Sequence, residues 1–236
     1  MKNKIKSAMV LAAGKGTRMQ PLTSMCPKPL IKVKGKALLD WVLDDLSAAG
    51  IKDTVVNTHH KAEMIIQHLE PRIKPSITIS LEENQLLDTG GGVANALSKI
   101  NEDIFLVTNS DNLWKSGLAP PVKLLHSYWE DNLTCLMLLA KKTNALGYTG
   151  KGDFFMSDDQ KPLRRGTKSS APYIYSGTQL IHKDLFEGHP KGGFSFNILW
   201  DNAIAKETIK AIAYDDFWYH VGTPEALHRT EEHWVL

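Results

Sequence analysis

The sequence has only two cysteines, Cys26 and Cys135, far apart and in no CxxC pair, which argues against a disulfide framework or a structural zinc site. It has no excess of one charge: 28 basic residues stand against 26 acidic ones, for a net charge of +2. Nucleic-acid binding would call for a clustered basic face, and no such cluster is visible. No stretch reaches the roughly 18 to 20 apolar residues of a membrane span. The basic start, Met1 to Lys6, resembles the first region of a secretion signal, but the apolar run behind it is short and leads directly into Gly14-Lys15-Gly16, so it reads as a strand. Internal repeats, low-complexity tracts and a hexapeptide β-helix pattern are also absent. These absences predict a soluble, cytoplasmic protein with neither nucleic acid nor membrane as a partner. At 236 residues the chain suits one generous α/β domain over 1–236.

What the sequence does contain is an alternation of strand and helix patterns. Ser7 to Ala13 is a continuous apolar run ending at glycines, as in a strand buried on both faces. Ala37 to Ala49 repeats apolar residues at helical spacing and stops at Gly50, a helix C-terminal signal. Thr54 to Asn57 predicts a strand, Ala62 to Glu70 a helix, and Ser76 to Glu83 a strand. Gly90-Gly91-Gly92 opens a helix through Lys99, and Ile104 to Thr108 is another apolar strand. The predicted fold is α/β: a Rossmann-like, mainly parallel mixed sheet with helices on both faces and a small additional lobe. In the less regular second half, Leu133 to Ala140 and Tyr173 to His182 read as strands, and Ile198 to Ala205 and Pro224 to Trp234 as helices. Tyr148 to Gly166 reads as a loop or small hairpin over the site. Ligands of such sheets bind beyond the carboxyl ends of the strands, where Gly14 to Arg18, Asp88 to Gly92 and Asn109 to Asp111 converge.

The first of these segments reads Leu11-Ala12-Ala13-Gly14-Lys15-Gly16-Thr17-Arg18-Met19, followed by Pro21-Leu22-Thr23 and Pro27-Lys28-Pro29-Leu30. A Gly-rich turn after a strand exposes backbone N–H groups that can cradle phosphate oxygens, and Arg18 and Lys28 add full positive charge beside it. It is not a P-loop, because Gly14-Lys15 is followed by Gly16. It is not a dinucleotide fingerprint either, because Met19 stands where a third Gly or Ala is needed. A carboxylate just past an apolar strand, Asp111, is placed to hold Mg²⁺ against phosphates; a helix-cap or turn role is the alternative. His59-His60 has no third ligand at suitable spacing and reads as structural.

The full first-loop string, with Asp88-Thr89-Gly90-Gly91-Gly92, Asn109-Ser110-Asp111 and Val221-Gly222-Thr223-Pro224-Glu225, resembles the sugar-phosphate nucleotidyltransferases. Among their short members the resemblance is to the group that joins UTP to N-acetylmuramate 1-phosphate, resting on Leu87 to Gly92, Tyr175-Ser176-Gly177 and the compact carboxyl half. The resemblance implies a nucleotide-binding half over about 6–118, a sugar-binding half over about 119–236, and Mg²⁺ as cofactor. It makes Lys28 and Arg18 the catalytic cations and assigns the nucleotide to Leu11, Ala12, Ala13, Gly14, Gly16, Thr17, Glu83, Thr89 and Gly90. Glu83 would read the base edge, and its acceptor-only carboxylate suits uracil, thymine or guanine over adenine. The implied sugar contacts are Asn109, Asn112, Gly152, Asp153, Ser176 and Gly177. The implied metal ligands are Asp111 and His220, although relatives carry Asp or Asn where His220 stands and imidazole is a poorer donor to Mg²⁺. GTP with mannose 1-phosphate stays open as the substrate pair, and so does a sugar-nucleotide binding protein that has lost catalysis. A dinucleotide-dependent oxidoreductase is disfavoured by Met19 and the cationic first loop.

Overall fold

The computed structural model describes residues 5–234. Its organising element is the strand Ser7–Leu11, which pairs in parallel with Asp53–Thr58 on one side and Ile104–Asn109 on the other. Ser76–Leu81 continues the parallel series beyond Asp53–Thr58. On the far side, Tyr173–His182 runs antiparallel to Ile104–Asn109 and to Cys135–Lys141, and Ile209–Tyr214 lies parallel to the latter. The sheet is therefore parallel through the first half of the chain and mixed through the second. A hairpin of Phe154–Met156 and Pro162–Arg164 joins it at Tyr173, within the stretch expected to form a loop or hairpin.

Both faces of the sheet are covered, which is why its central strands are apolar without alternation. Ala8, Val10 and Leu106 pack on one face with Leu39, Val42, Leu43 and Leu46 of the helix Leu38–Ala49. Met9, Phe105 and Val107 pack on the other with Val93 and Ala96 of the helix Asp88–Ala96 and with Leu199 and Trp200 of Phe196–Ala205. Successive strand side chains point to opposite faces, so each helical layer takes alternate residues of the same run. Gly50, at φ +95°, closes the first of these helices as its sequence predicts.

Three features escape a sequence reading. The helix Ala119–Tyr128 starts through Pro120 and Pro121, which look like loop residues but are tolerated in a first helical turn. Ile209–Tyr214 is too short to stand out, and the small sheet of Asn112–Trp114, Trp218–His220 and Ala145–Leu146 is assembled from two- and three-residue pieces. The three glycines lie inside their helix, which begins at Asp88.

Those glycines are there for close approach. A Cβ on Gly91 would sit 2.5 Å from the Gly192 carbonyl oxygen, and one on Gly92 would sit 2.7 Å from Asn57 Nδ2. The Gly91 N–H also donates to the Phe194 carbonyl at 3.0 Å. Gly91→Ala is expected to lower stability by about 1–3 kcal/mol through overpacking against backbone, read as a fall of several degrees in thermal midpoint. Gly14→Ala, whose Cβ would meet nothing within 4 Å, should stay within about 1 kcal/mol of the parent.

Candidate active site

The carboxyl ends of Ser7–Leu11, Asp53–Thr58 and Ile104–Asn109 open on one edge of the sheet, where a parallel sheet presents its ligand crevice. A cleft there has three lobes of about 210, 390 and 470 Å³. Leu11, Thr89 and Asn109 line all three, so the lobes form one continuous site. The smallest lies among Ala13, Gly14, Asn57, Leu86 and Asp88. The middle one is lined by Gly14, Gly16, Thr17, Arg18, Lys28 and Asp111. The largest lies among Gly152, Asp153, Arg164, Arg165, Tyr175 and Trp200.

A buried hydrogen-bond chain holds the first loop in place. Asn57 Oδ1 accepts the Ala12 N–H at 2.8 Å, and its Nδ2 donates to Glu82 Oε1 at 2.6 Å. Glu82 Oε2 accepts the Leu87 N–H at 2.8 Å, just ahead of the glycine-bearing helix. Gly16 adopts the left-handed conformation at φ +61°, and a Cβ there would come within 2.9 Å of Lys28 Cβ. Its carbonyl accepts from Thr23 Oγ1 at 3.0 Å and from the Met19 N–H at 2.9 Å. The loop is thus shaped by hydrogen bonds that leave Gly14 and Thr17 facing the cleft.

The middle lobe is organised by charge. Lys28 Nζ pairs with Asp111 Oδ2, and both side chains are mostly buried. Burial by itself would push the Asp111 carboxyl up, but the Lys28 ammonium, helped by His220, holds it below the usual range. The His220 pKa is lowered as well. Burial lowers its pKa, Lys28 and Arg18 push it further down, and Asp111 and Asp153 only partly oppose them. Its ring stacks at a tilt on Trp218, 5.3 Å away, and meets Tyr148 edge-on at 5.8 Å. It folds over Gly222, where a Cβ would lie 2.6 Å from Nε2. Among the described residues no group of three or more His, Cys, Asp or Glu side chains is arranged to cage a metal. One buried carboxylate in a phosphate-sized lobe fits a hard cation that completes its shell with substrate oxygens and water; a neutral imidazole is the weaker part of that donor set.

Of the residues singled out in the sequence, Leu11, Ala12, Ala13, Gly14, Gly16, Thr17, Arg18, Lys28, Thr89, Asn109 and Asp111 line the two smaller lobes, and Gly152 and Asp153 line the largest. Gly90 is buried against the Phe194 ring beneath them. Four of the expected site residues, Glu83, Asn112, Ser176 and Gly177, line none of the lobes. Glu83 is exposed and lines none of the lobes; at the end of Ser76–Leu81 it is Glu82 that turns inward. The buried Asn112 side chain is used up within the fold, accepting from Trp218 Nε1 at 2.7 Å and donating to Thr178 Oγ1. The Ser176 hydroxyl donates to the Leu138 carbonyl at 2.9 Å inside a break in strand register between Tyr175 and Thr178. Gly177, at φ +88°, makes room for Asn109, whose Nδ2 would lie 2.5 Å from a Cβ. It supports a cleft residue and does not line the cleft itself. His59 Nδ1 lies 2.7 Å from the Glu82 carbonyl oxygen, a structural contact.

Asn57, Arg164, Arg165 and Trp200 carry no site role in the sequence reading, and Tyr175 enters it only through the string Tyr175-Ser176-Gly177, with no role of its own. Asn57 ends a β-branched strand, and polarity at a strand's carboxyl end was the available signal. The Arg164-Arg165 pair before Gly166 offered a weaker one. Trp200 looks like a core residue in a linear reading.

The sequence profile of the family described as Nucleotidyl transferase matches residues 7–234. The N-acetylmuramate alpha-1-phosphate uridylyltransferase of Caulobacter vibrioides is 38% identical over 226 residues, covering 94% of this chain and 93% of that protein. The mannose-1-phosphate guanylyltransferase of Mycobacterium tuberculosis is 35% identical, covering 92% of this chain and 61% of that protein. Among solved structures, HddC from Yersinia pseudotuberculosis complexed with GMP-PN has a TM-score of 0.78 at 24% identity, covering 97% of this chain and 99% of its own. The inositol-1-phosphate CTP transferase from T. maritima reaches 0.79 at 15% identity over the whole of both chains. These two likenesses show a shared fold. With its motifs converging on one cleft, its profile matched almost end to end and a relative 38% identical over nearly its whole length, the chain belongs to the sugar-phosphate nucleotidyltransferases of the Nucleotidyl transferase family.

Proposed function

We propose that this enzyme transfers the uridylyl group of UTP to N-acetylmuramate 1-phosphate, with Mg²⁺, giving the UDP-sugar and pyrophosphate. The observation that carries this reading is the mostly buried Lys28–Asp111 pair at the middle of a three-lobed cleft. The base and ribose take the smallest lobe and the phosphates the middle one, both built chiefly by the half before about residue 118. The sugar takes the largest lobe, built chiefly by the half after it. The choice of UTP and of this sugar is supported by the likeness to the Caulobacter vibrioides uridylyltransferase. In that role the protein would work in the cytoplasm, in the reuse of peptidoglycan sugar. Among the described residues, no helix is long and apolar enough to cross a membrane.

In this mechanism the sugar 1-phosphate oxygen attacks the α-phosphorus in line and pyrophosphate leaves. The attacking oxygen is already anionic near neutral pH, so the residues need not remove a proton from it. Their task is electrostatic, because two polyanions must meet and the leaving group must be held. The first-loop N–H groups and Arg18 bind the triphosphate. Lys28 neutralises the approaching phosphates, and its bond to Asp111 fixes where its charge sits before substrate arrives. Asp111 would hold Mg²⁺, with His220 beside it, and the ion supplies further positive charge against the phosphate oxygens.

Pyrophosphate release with UTP and N-acetylmuramate 1-phosphate should exceed that with any other pairing of UTP, GTP, dTTP or CTP with N-acetylglucosamine, glucose or mannose 1-phosphate. It should also disappear on chelation of divalent metal. Preference for GTP with mannose 1-phosphate would keep the chemistry and replace the substrate pair; nucleotide binding without turnover would sink the enzymatic reading. Lys28→Ala is expected to lower turnover by about 10²–10³-fold, the usual cost of removing one preorganised electrostatic group, measured below an unfolding transition that should itself fall because Asp111 is left buried and unpaired. Near-normal turnover in that variant would remove Lys28 from the mechanism.

A further inference from the structure

The sugar lobe contains two arginines on the strand Pro162–Arg164 and the residue after it, and their surroundings differ. Arg164 is compensated: its Nη2 lies 2.7 Å from Asp201 Oδ1, its Nη1 donates to Asn197 Oδ1 at 2.7 Å, and its guanidinium covers the Phe154 and Trp200 rings. Arg165 is not. Nε donates to the Gly152 carbonyl at 3.0 Å, and Nη1 donates to the carbonyls of Gly166 and Lys168 at 3.2 and 2.7 Å. Among the described residues it forms no ion pair, and its Nη2 has no hydrogen-bond partner.

Three carbonyl oxygens therefore fix the plane of a half-buried guanidinium and leave its full charge unbalanced at the wall of the lobe. Holding a cation this way uses up side-chain freedom and serves little purpose for a neutral sugar. A carboxylate is the complementary group, since a charge-assisted bond to a preorganised arginine is about twice as strong as a neutral one. The triphosphate has its own cations, Arg18 and Lys28, in the neighbouring lobe. Asp153, the acidic residue lining the sugar lobe, already has Oδ2 accepting the Tyr175 N–H at 3.0 Å and remains suited to sugar hydroxyls.

We infer that Arg165 is the residue that selects an acidic sugar 1-phosphate, by binding the carboxylate carried on the sugar ring. The inference rests on the acidic substrate proposed above and adds the group that recognises it. The test is the ratio of kcat/KM for UTP with N-acetylmuramate 1-phosphate to that with N-acetylglucosamine 1-phosphate, which lacks the carboxylate-bearing ether. In Arg165→Gln this ratio should fall at least about tenfold from the parent value, the scale of one charge-assisted hydrogen bond. A loss spread equally over both sugars would leave the ratio unmoved and overturn the inference, because a merely structural or phosphate-binding arginine behaves that way. If the parent enzyme itself shows no preference for the acidic sugar, the substrate reading fails first and takes the inference with it. Should the variant turn over neither sugar, calorimetric affinities of the two sugar phosphates decide in the same terms: selective loss for the acidic one supports Arg165, and equal loss refutes it.

Discussion

The side chain of Asn57 accepts one backbone N–H from the first loop and donates to Glu82, whose second oxygen holds the N–H of Leu87. All of this is buried or nearly so, and a buried polar group that loses its partner costs about 1–3 kcal/mol. The three segments that build this side of the cleft are therefore positioned against each other by hydrogen bonds that are costly to lose. The glycines of the helix Asp88–Ala96 follow from the same constraint. Gly92 has to leave room for the Asn57 and Glu82 side chains, each of which would be under 3 Å from a Cβ. A glycine in a helix costs about 1 kcal/mol relative to alanine, so this helix is held by what it packs against and not by its own propensity.

On that scaffold the charges are sorted by lobe. Lys28 and Asp111 neutralise each other in the middle lobe, so neither stands as a bare buried charge. Arg18, exposed at the same lobe, adds a second cation. The sugar lobe has its own arginines on a separate hairpin, one paired with a carboxylate and one held only by carbonyls. On the proposed reading, phosphate binding and sugar selection rest on different elements, so one could vary without disturbing the other.

His220 shows how position changes the meaning of a residue. On chemistry alone it is an uncertain metal donor. In the fold it is pressed over Gly222 between Trp218 and Tyr148, where burial, with Lys28 and Arg18 nearby, keeps its pKa low. It lines up beside Asp111 because Trp218–His220 pairs antiparallel with Asn112–Trp114, with His220 directly opposite Asn112.

The sequence by itself determined the alternating strands and helices of the first half, the two-sided burial of Ser7–Leu11 and Ile104–Asn109, and the glycine-rich loop that lines the cleft. These are local matters of apolar period, glycine and terminal charge, and each is written within a short window. The tertiary structure decided what depends on distant partners. It turned Glu82 inward and Glu83 out, because strand alternation is fixed only once the sheet has a core side. It turned the side chains of Asn112 and Ser176 to partners inside the fold, since Trp218, Thr178 and Leu138 reach them only across strands. It brought Arg165, Tyr175 and Trp200 to one wall of the cleft. No linear pattern joins a hairpin, a strand and a helix, because their meeting is set by how the second half of the sheet closes against the first.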